Sequence, residues 1–321
     1  MLVNSLKSPL GTLAKLSLVI VFLLMLSAGD ALASEPAPRS KQARANERLF
    51  ALMKKGQIDE VLKITNAELR HHPQRAVLYF YRAQALQRRK ETLHLALKDI
   101  DKAIELDPDY ALYHMWKSTI LSDQEEDKRA LPEALRACQL EPKTALYWDN
   151  LSVVQRHLGK SEDAIRSADK AVQFSPQTGL FRQNRARALQ AASRFREALE
   201  ECNRAVKLRP ASKGLRTVRA NIASHLNQWD TVISDTSFCL AGSESKLHSR
   251  DLLRLRASAY AGKKQYERAI HDYEAAVKLF PYDRESQANL KAMYLKVGSL
   301  KSAQAQEKIL KDLDDDVRPF R

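Results

Sequence analysis

The stretch "AIELDPDYALYHMWKS", Ala103 to Ser118, decides the fold. Its centre, Leu106-Asp107-Pro108, reads as a turn. Pro142 follows Pro108 by 34 residues in "QLEPKTALYW", Pro176 follows by 34 in "QFSPQTGLF", and Pro210 by 34 in "KLRPASKGL". A fixed period of roughly 20–50 residues marks a repeat architecture. With the proline placed at position 32, the units run 42–75, 76–110, 111–144, 145–178, 179–212, 213–249, 250–283 and 284–317.

Each unit divides into two amphipathic halves. In the fourth, "ALYWDNLSVVQRHLG" carries apolar residues at Leu146, Trp148, Leu151 and Leu158 and stops at Gly159. "SEDAIRSADKAVQFS" follows, with Ala164, Ala168, Ala171 and Phe174 on one face. Steps of three and four predict helices. Acids at Glu162 and Asp163 suit the positive end of the second helix. Proline disfavours helix in the residue before it and so ends each unit.

Small residues recur where two helices approach closely. Position 8 holds Ala83, Ser118, Ser152, Ala186, Ala220 and Ala257. Position 20 holds Ala96, Ala130, Ala164, Ala198 and Ala269, and position 27 holds Ala103, Ala137, Ala171, Ala205 and Ala276. Phe195, Trp229 and Tyr266 share position 17. The three cysteines, Cys138, Cys202 and Cys239, fall at core positions 28, 24 and 27 and are expected to be buried. Their wide spacing fits neither a disulfide framework nor a zinc site.

These features resemble the tetratricopeptide repeat family over roughly residues 42–317. The match lies in the small residues at 8, 20 and 27, an aromatic or apolar residue at 4 such as Trp148, and the proline at 32. The resemblance implies an all-α, right-handed superhelical solenoid of about eight antiparallel helical hairpins. The second unit has one extra residue in "RRKETLH", and the first unit is degenerate, with Val61 and Glu68 at positions 20 and 27. The worn first unit fits a cap. The sixth, with Val232 at position 20 and no proline, implies a break between two sub-arrays.

Position 7 is usually leucine in that family, yet here it is Arg82, Lys117, Arg185, Arg219 and Arg256. A column of cations has the form of a polyanion-binding stripe. Position 23 in the same five units is Asp99, Glu133, Glu201, Asp235 and Asp272. Both members disappear together in the fourth unit (Leu151, Ser167) and in the eighth (Leu290, Gln306). This covariation within the chain predicts five ion pairs, each inside one hairpin: Arg82–Asp99, Lys117–Glu133, Arg185–Glu201, Arg219–Asp235 and Arg256–Asp272. Only the first unit, with Arg48 and Ile64, departs from the rule.

The resemblance further implies that the first helices line a concave groove through positions 2, 5, 6, 9, 12 and 13. Those positions hold Tyr81, Gln84, Arg88, Trp116, Thr119, Asp149, Asn150, Arg156, Gln183, Asn184, Arg187, Thr217, Asn221, Arg254 and Asn289. Amides can bond a peptide backbone and arginine can grip a carboxylate. The lysine–asparagine clamp of chaperone-binding members does not occur in any three consecutive units.

Residues 1–33 have the form of a secretory signal: Lys7 and Lys15, the apolar run "LSLVIVFLLMLSAG", then "ALA" at Ala31–Ala33. An uncleaved anchor is the alternative. Residues 34–41 form a flexible lead-in, and 318–321 a tail. The expected location is periplasmic or secreted, with no membrane span after cleavage. The chain has 53 Lys and Arg against 39 Asp and Glu, a net +14, of which the leader contributes one charge. The charges are interspersed, and no dense basic block indicates nucleic acid.

No glycine-rich phosphate loop, G-x-S-x-G or H-E-x-x-H motif occurs, and His71-His72 is a weak basis for a metal. The expected function is a non-enzymatic scaffold, without cofactor or metal, that binds a partner protein or extended peptide. Two alternatives are a binder of an anionic polymer or anionic membrane surface, and a regulatory subunit of a separate catalytic chain.

Overall fold

The computed structural model of the chain describes residues 41–242 and 245–316. The expected leader, nearly all of the lead-in and the tail at 318–321 lie outside them. The described residues form sixteen α-helices and no strand. The first four hairpins are α1 (Lys41–Lys54) with α2 (Ile58–His71), α3 (Ala76–Leu86) with α4 (Leu93–Leu106), α5 (Ala111–Asp123) with α6 (Asp127–Leu140), and α7 (Ala145–His157) with α8 (Ser161–Phe174). The next four are α9 (Gly179–Ala191) with α10 (Phe195–Leu208), α11 (Lys213–His225) with α12 (Trp229–Leu240), α13 (Lys246–Gly262) with α14 (Tyr266–Leu279), and α15 (Arg284–Lys296) with α16 (Leu300–Asp316). The architecture is thus an all-α solenoid of antiparallel hairpins.

The hairpins fall into two compact units, one ending at Phe174 and one beginning at Ser175. The division is therefore not at the worn sixth hairpin. That hairpin packs inside the second unit, because Val232 and Cys239, both 0% exposed, still fill positions 20 and 27. Within each unit, first helices touch first helices (α1 with α3, α5 with α7, α9 with α11, α11 with α13), and no second-helix pair makes comparable contact. Each stack is therefore tighter along its first helices, which form its inner side.

The recurring proline occupies the second residue of a β-turn. Backbone N–H groups of Arg75, Tyr110, Thr144, Thr178, Ser212 and Asp283 donate to the carbonyls of His72, Asp107, Glu141, Ser175, Arg209 and Phe280, three residues back. Proline suits that place because its ring fixes φ and its missing N–H is not needed there. The proline carbonyl also has a partner, always position 4 of the next helix. Tyr79, His114, Trp148, Arg182, Arg216 and Gln287 bond the carbonyls of Pro73, Pro108, Pro142, Pro176, Pro210 and Pro281 at 2.8–3.1 Å. Position 4 is thus a donor site rather than the apolar packing site expected from Trp148. Leu253 holds it in the one hairpin that follows no proline.

Inside each hairpin the reversal falls at position 15. Gly56, Glu125, Gly159, Ser193, Asn227, Lys264 and Gly298 all have φ between 55° and 74° there. In the second hairpin the inserted residue replaces that turn with a 3₁₀ segment, Lys90–Thr92. The small residues lie where expected: every alanine named at positions 8, 20 and 27 is at most 1% exposed. Ser152 at position 8 donates to the Ala164 carbonyl at position 20, 2.8 Å away, which records how closely the two helices approach. Cys138, Cys202 and Cys239 are buried thiols. Burial pushes the first two up to about 12.

All five position-7 cations contact the position-23 acid of their own hairpin. The distances are 2.6 Å for Arg82–Asp99, 2.7 Å for Lys117–Glu133, 2.9 Å for Arg185–Glu201, 2.6 Å for Arg219–Asp235 and 2.7 Å for Arg256–Asp272. Arg82, Arg219 and Arg256 are bidentate. Asp99, Glu201, Asp235 and Asp272 are buried, so these are not exposed surface pairs. In the first hairpin Arg48 instead meets Glu60 at 3.7 Å, on the surface.

Two further contacts were not expected. The same cation also reaches position 25 of the preceding hairpin: Arg82 to Asn66 (2.9 Å), Lys117 to Asp101 (3.1 Å), Arg219 to Asn203 (3.1 Å) and Arg256 to Ser237 (3.0 Å). Position 4 adds a second cation to the acid in three hairpins: His114 to Glu133 (2.7 Å), Arg182 to Glu201 (2.9 Å) and Arg216 to Asp235 (2.8 Å). Burial by itself would raise the Glu133 carboxyl, yet the His114 and Lys117 hydrogen bonds hold it below its usual range.

Arg256→Leu should strand Asp272, which is 1% exposed, and destabilise the protein by about 3–5 kcal/mol. Adding Asp272→Ser recreates the Leu151 and Ser167 combination of the fourth hairpin. In thermal melts followed by circular dichroism, the double variant should recover more than half of the lost melting temperature. A double variant no more stable than the single one would contradict the account.

The hydrogen bond to Glu133 raises the His114 pKa above 6.5. Its stabilisation is therefore complete below the unfolded value and lost as pH rises through the higher folded value. An NMR titration of the ring should place the His114 midpoint above 6.5, and His114→Gln should remove this loss of stability on the alkaline side.

Candidate functional site

The inner side of the first unit holds an aromatic cavity of about 200 Å³. It is lined by Asn46 and Phe50 of α1, Val77, Phe80, Tyr81 and Gln84 of α3, Tyr110, and Leu112, Tyr113 and Trp116 of α5. Helical spacing explains the grouping: Phe80 and Gln84 are four apart and Tyr113 and Trp116 three apart, so each pair shares a face. The rings contact one another tilted or edge-on. Centroids lie 5.1 Å apart for Phe80–Tyr113, 6.1 Å for Phe80–Trp116 and 4.6 Å for Tyr110–Tyr113. These arrangements suit the ring quadrupoles.

The cavity lining contains no Lys, Arg, Asp, Glu or His. Burial pushes the Tyr81 phenol up to about 12 and raises Tyr110 and Tyr113 as well, so all three are neutral.

Four groove residues carry buried polar atoms with no hydrogen-bond partner in the protein: Gln84 Oε1 and Trp116 Nε1 belong to cavity-lining residues, and Arg88 Nε and Asn150 Oδ1 to residues outside the lining. Leaving such a group unpaired costs about 1–3 kcal/mol. The four residues occupy positions 9, 6, 13 and 6 of consecutive hairpins, all on the inner side. Asn150 Nδ2 donates to Thr119 Oγ1 of the preceding first helix at 3.1 Å, which leaves its carbonyl oxygen unused. Arg88 lies in the turn after α3, half-buried and with no carboxylate in contact among the described residues. Burial lowers its pKa.

The residues expected to line the groove divide into several groups. Tyr81, Gln84 and Trp116 meet in the cavity, and Asn150 and Arg88 add orphan groups on the same side of the first unit. Asp149 and Gln183 are buried at 6% and 7% exposure, and Arg156, Asn184 and Arg187 are half-buried. Asn221 is exposed and donates to its own helix at the Thr217 carbonyl, 2.9 Å away. Arg254 already contacts Glu285 and lies 3.7 Å from Asp283, so its charge is matched within the protein.

Phe50, Phe80, Tyr110 and Tyr113 were not singled out by sequence. Phe50 and Phe80 fall at positions 9 and 5, and their groove positions were the available signal. A wider recess of about 330 Å³ lies at the α9–α10 turn, but most of its lining is exposed and Arg194 there bonds Glu197. Among the described residues, no cluster of His, Cys, Asp or Glu is placed to hold a metal ion, and no helix is long and apolar enough to cross a membrane.

Comparison with known proteins agrees with this architecture. Residues 255–283 match the tetratricopeptide repeat. No curated protein matches the chain. A chain of the APC/C hetero-tetramer Cut9–Hcn1 is 15% identical with a TM-score of 0.66, over 87% of this chain and 52% of that one. The present chain thus spans about half the length of that protein. A tetratricopeptide repeat protein from Parabacteroides merdae is 17% identical with a TM-score of 0.56, over 77% of this chain and 96% of its own. Human IFIT1, solved as a dimer with m7Gppp-AAAA, is 16% identical with a TM-score of 0.59, over 84% of this chain and 71% of its own. At such identities the likeness is one of fold, and the fold is that of tetratricopeptide-repeat solenoids.

Proposed function

We propose that the protein is an exported, non-enzymatic scaffold that holds an extended segment of a partner protein against the inner side of its hairpin stacks. The observation that carries this reading is an uncharged aromatic cavity on the first helices, lined in part by the groove residues Tyr81, Gln84 and Trp116. An extended peptide presents both N–H and C=O groups along its length. The amide and guanidinium side chains at groove positions, such as Gln84, Asn150 and Arg88, are of the kinds that bond both groups. The aromatic cavity supplies an anchor of the kind that dominates binding energy at interfaces.

The alternative of an anionic polymer is less well supported. The basic column that suggested it is turned onto carboxylates, which leaves those five cations little charge to offer a polyanion.

Affinity capture from an envelope extract should recover a partner. The triple variant Asn150→Ala, Asn184→Ala, Arg187→Ala should bind it at least tenfold more weakly with unchanged circular dichroism. Equal capture by both proteins would remove the groove reading. Export is checked separately: cell fractionation with N-terminal sequencing should find a mature chain beginning at Ser34 outside the cytoplasm.

A further inference from the structure

We infer that the seam between the second and third hairpins is a proton-operated joint: loss of the His114 proton releases the Pro108 carbonyl, while Glu133 stays bound. The inference stands on the packing of the hairpins and does not rest on the groove reading.

Hydrogen counting sets the first limit. His114 Nδ1 lies 2.7 Å from Glu133 Oε2, and Nε2 lies 2.8 Å from the Pro108 carbonyl oxygen. A carboxylate and a carbonyl only accept. Neutral imidazole carries one N–H and can serve one of them, whereas imidazolium serves both. The ring is 8% exposed, which leaves little water to supply the missing hydrogen. The repeat provides an independent check. Arg182 and Arg216 hold the same position 4 and make the same two contacts. Arg182 donates to the Pro176 carbonyl (3.0 Å) and to Glu201 (2.9 Å), and Arg216 to the Pro210 carbonyl (2.9 Å) and to Asp235 (2.8 Å). His114 thus stands where two other hairpins place a permanent cation.

The surrounding charges decide which contact fails. Glu133 and Arg136 of α6 act on the ring: the Glu133 hydrogen bond favours the imidazolium, and Arg136, itself paired with Asp109 at 2.8 Å, disfavours it. Lys117, on the same helix as His114, shares Glu133 at 2.7 Å and reaches Asp101 of α4 at 3.1 Å. Tyr110 in the turn is neutral, because burial raises its phenol. When the imidazolium loses a proton, the carboxylate is the stronger acceptor for the one remaining hydrogen. That hydrogen stays on Nδ1, and the bare Nε2 faces the Pro108 carbonyl, lone pair against lone pair. The joint therefore loosens at its turn and remains tied through Lys117 and Asp101.

The loosened segment carries Tyr110, Leu112 and Tyr113, three residues of the aromatic cavity. The proton on His114 thus governs how firmly that wall is held. The other five proline seams use phenol, indole, guanidinium and amide donors, classes that keep their hydrogens through the neutral range, where imidazole titrates.

Two readouts on the full chain test the joint. In ¹⁵N NMR of the histidine rings, His114 above its midpoint should keep its hydrogen on Nδ1. Hydrogen exchange, corrected for its intrinsic rise with pH, should show protection of the Tyr110 and Tyr113 amides falling about tenfold above that midpoint, while the equivalent amides of Ser212 and Leu215 at the Arg216 seam keep theirs. His114→Arg should hold Tyr110 and Tyr113 constant across the same range. His114→Gln, which supplies the neutral donor used at Gln287, should do so too, so that a folding defect in one variant leaves the other to decide.

A hydrogen on Nε2 above the midpoint would overturn the inference. Unchanged protection at Tyr110 and Tyr113 would do the same, as would an equal loss at both seams, which marks global destabilisation. Persistence of the wild-type pH dependence in either folded variant would also overturn it.

Discussion

A buried carboxylate on the second helix, gripped by a cation on the first, is the polar contact that ties together four of the eight hairpins. Asp99, Asp235 and Asp272 each receive two parallel bonds from one guanidinium. A charge in such a site is tolerable only when its lone pairs are satisfied. The cation therefore has a fixed place, and from it the remaining N–H groups reach back to the hairpin before. One side chain thus closes its own hairpin and joins it to its neighbour. The guanidinium fork adds a directional contact to the close packing of the alanines and so reinforces one register.

That register positions the candidate site. Close stacking of first helices turns positions 5, 6 and 9 toward one another across successive hairpins. In the first unit those positions carry Phe50, Phe80, Tyr81, Gln84 and Trp116, and the rings enclose a hollow. In the second unit the corresponding region carries Gln183, Asn184, Thr217, Asn221 and Arg254, and Arg254 is engaged by Asp283 at the end of its own repeat and by Glu285 of the following hairpin. The same backbone plan thus supports an aromatic anchor in one stack and a polar surface in the other.

Much of this was legible in the sequence because a repeat allows a chain to be compared with itself. The loss of Arg and Asp together at Leu151 and Ser167 disclosed the ion pairs without any structure. The contact from position 7 back to Asn66, Asp101, Asn203 or Ser237 was harder to read, because position 25 varies among Asn, Asp and Ser, and although Leu135 precedes Leu151, Glu274 precedes Leu290. The cavity was half legible. Repeat positions brought Tyr81, Gln84 and Trp116 together, but whether Phe50 and Phe80 close up as core or leave a space depends on the distance between helices, which residue types alone do not define. The break expected at the sixth hairpin was misplaced for a related reason: a missing proline alters a turn, whereas Val232 and Cys239 keep the interior filled.

The proline turn also bears on how the array is recognised. Its carbonyl is met by a phenol, an imidazole, an indole, two guanidiniums and an amide in different hairpins. The seam selects a hydrogen atom at the right distance and is indifferent to the side chain that delivers it. Chemistry of that kind leaves a faint alphabetic trace, and the repeat signature matched at residues 255–283 lies in the hairpin whose position 4 is Leu253. In this chain the hairpins share a rule of bonding more than a spelling.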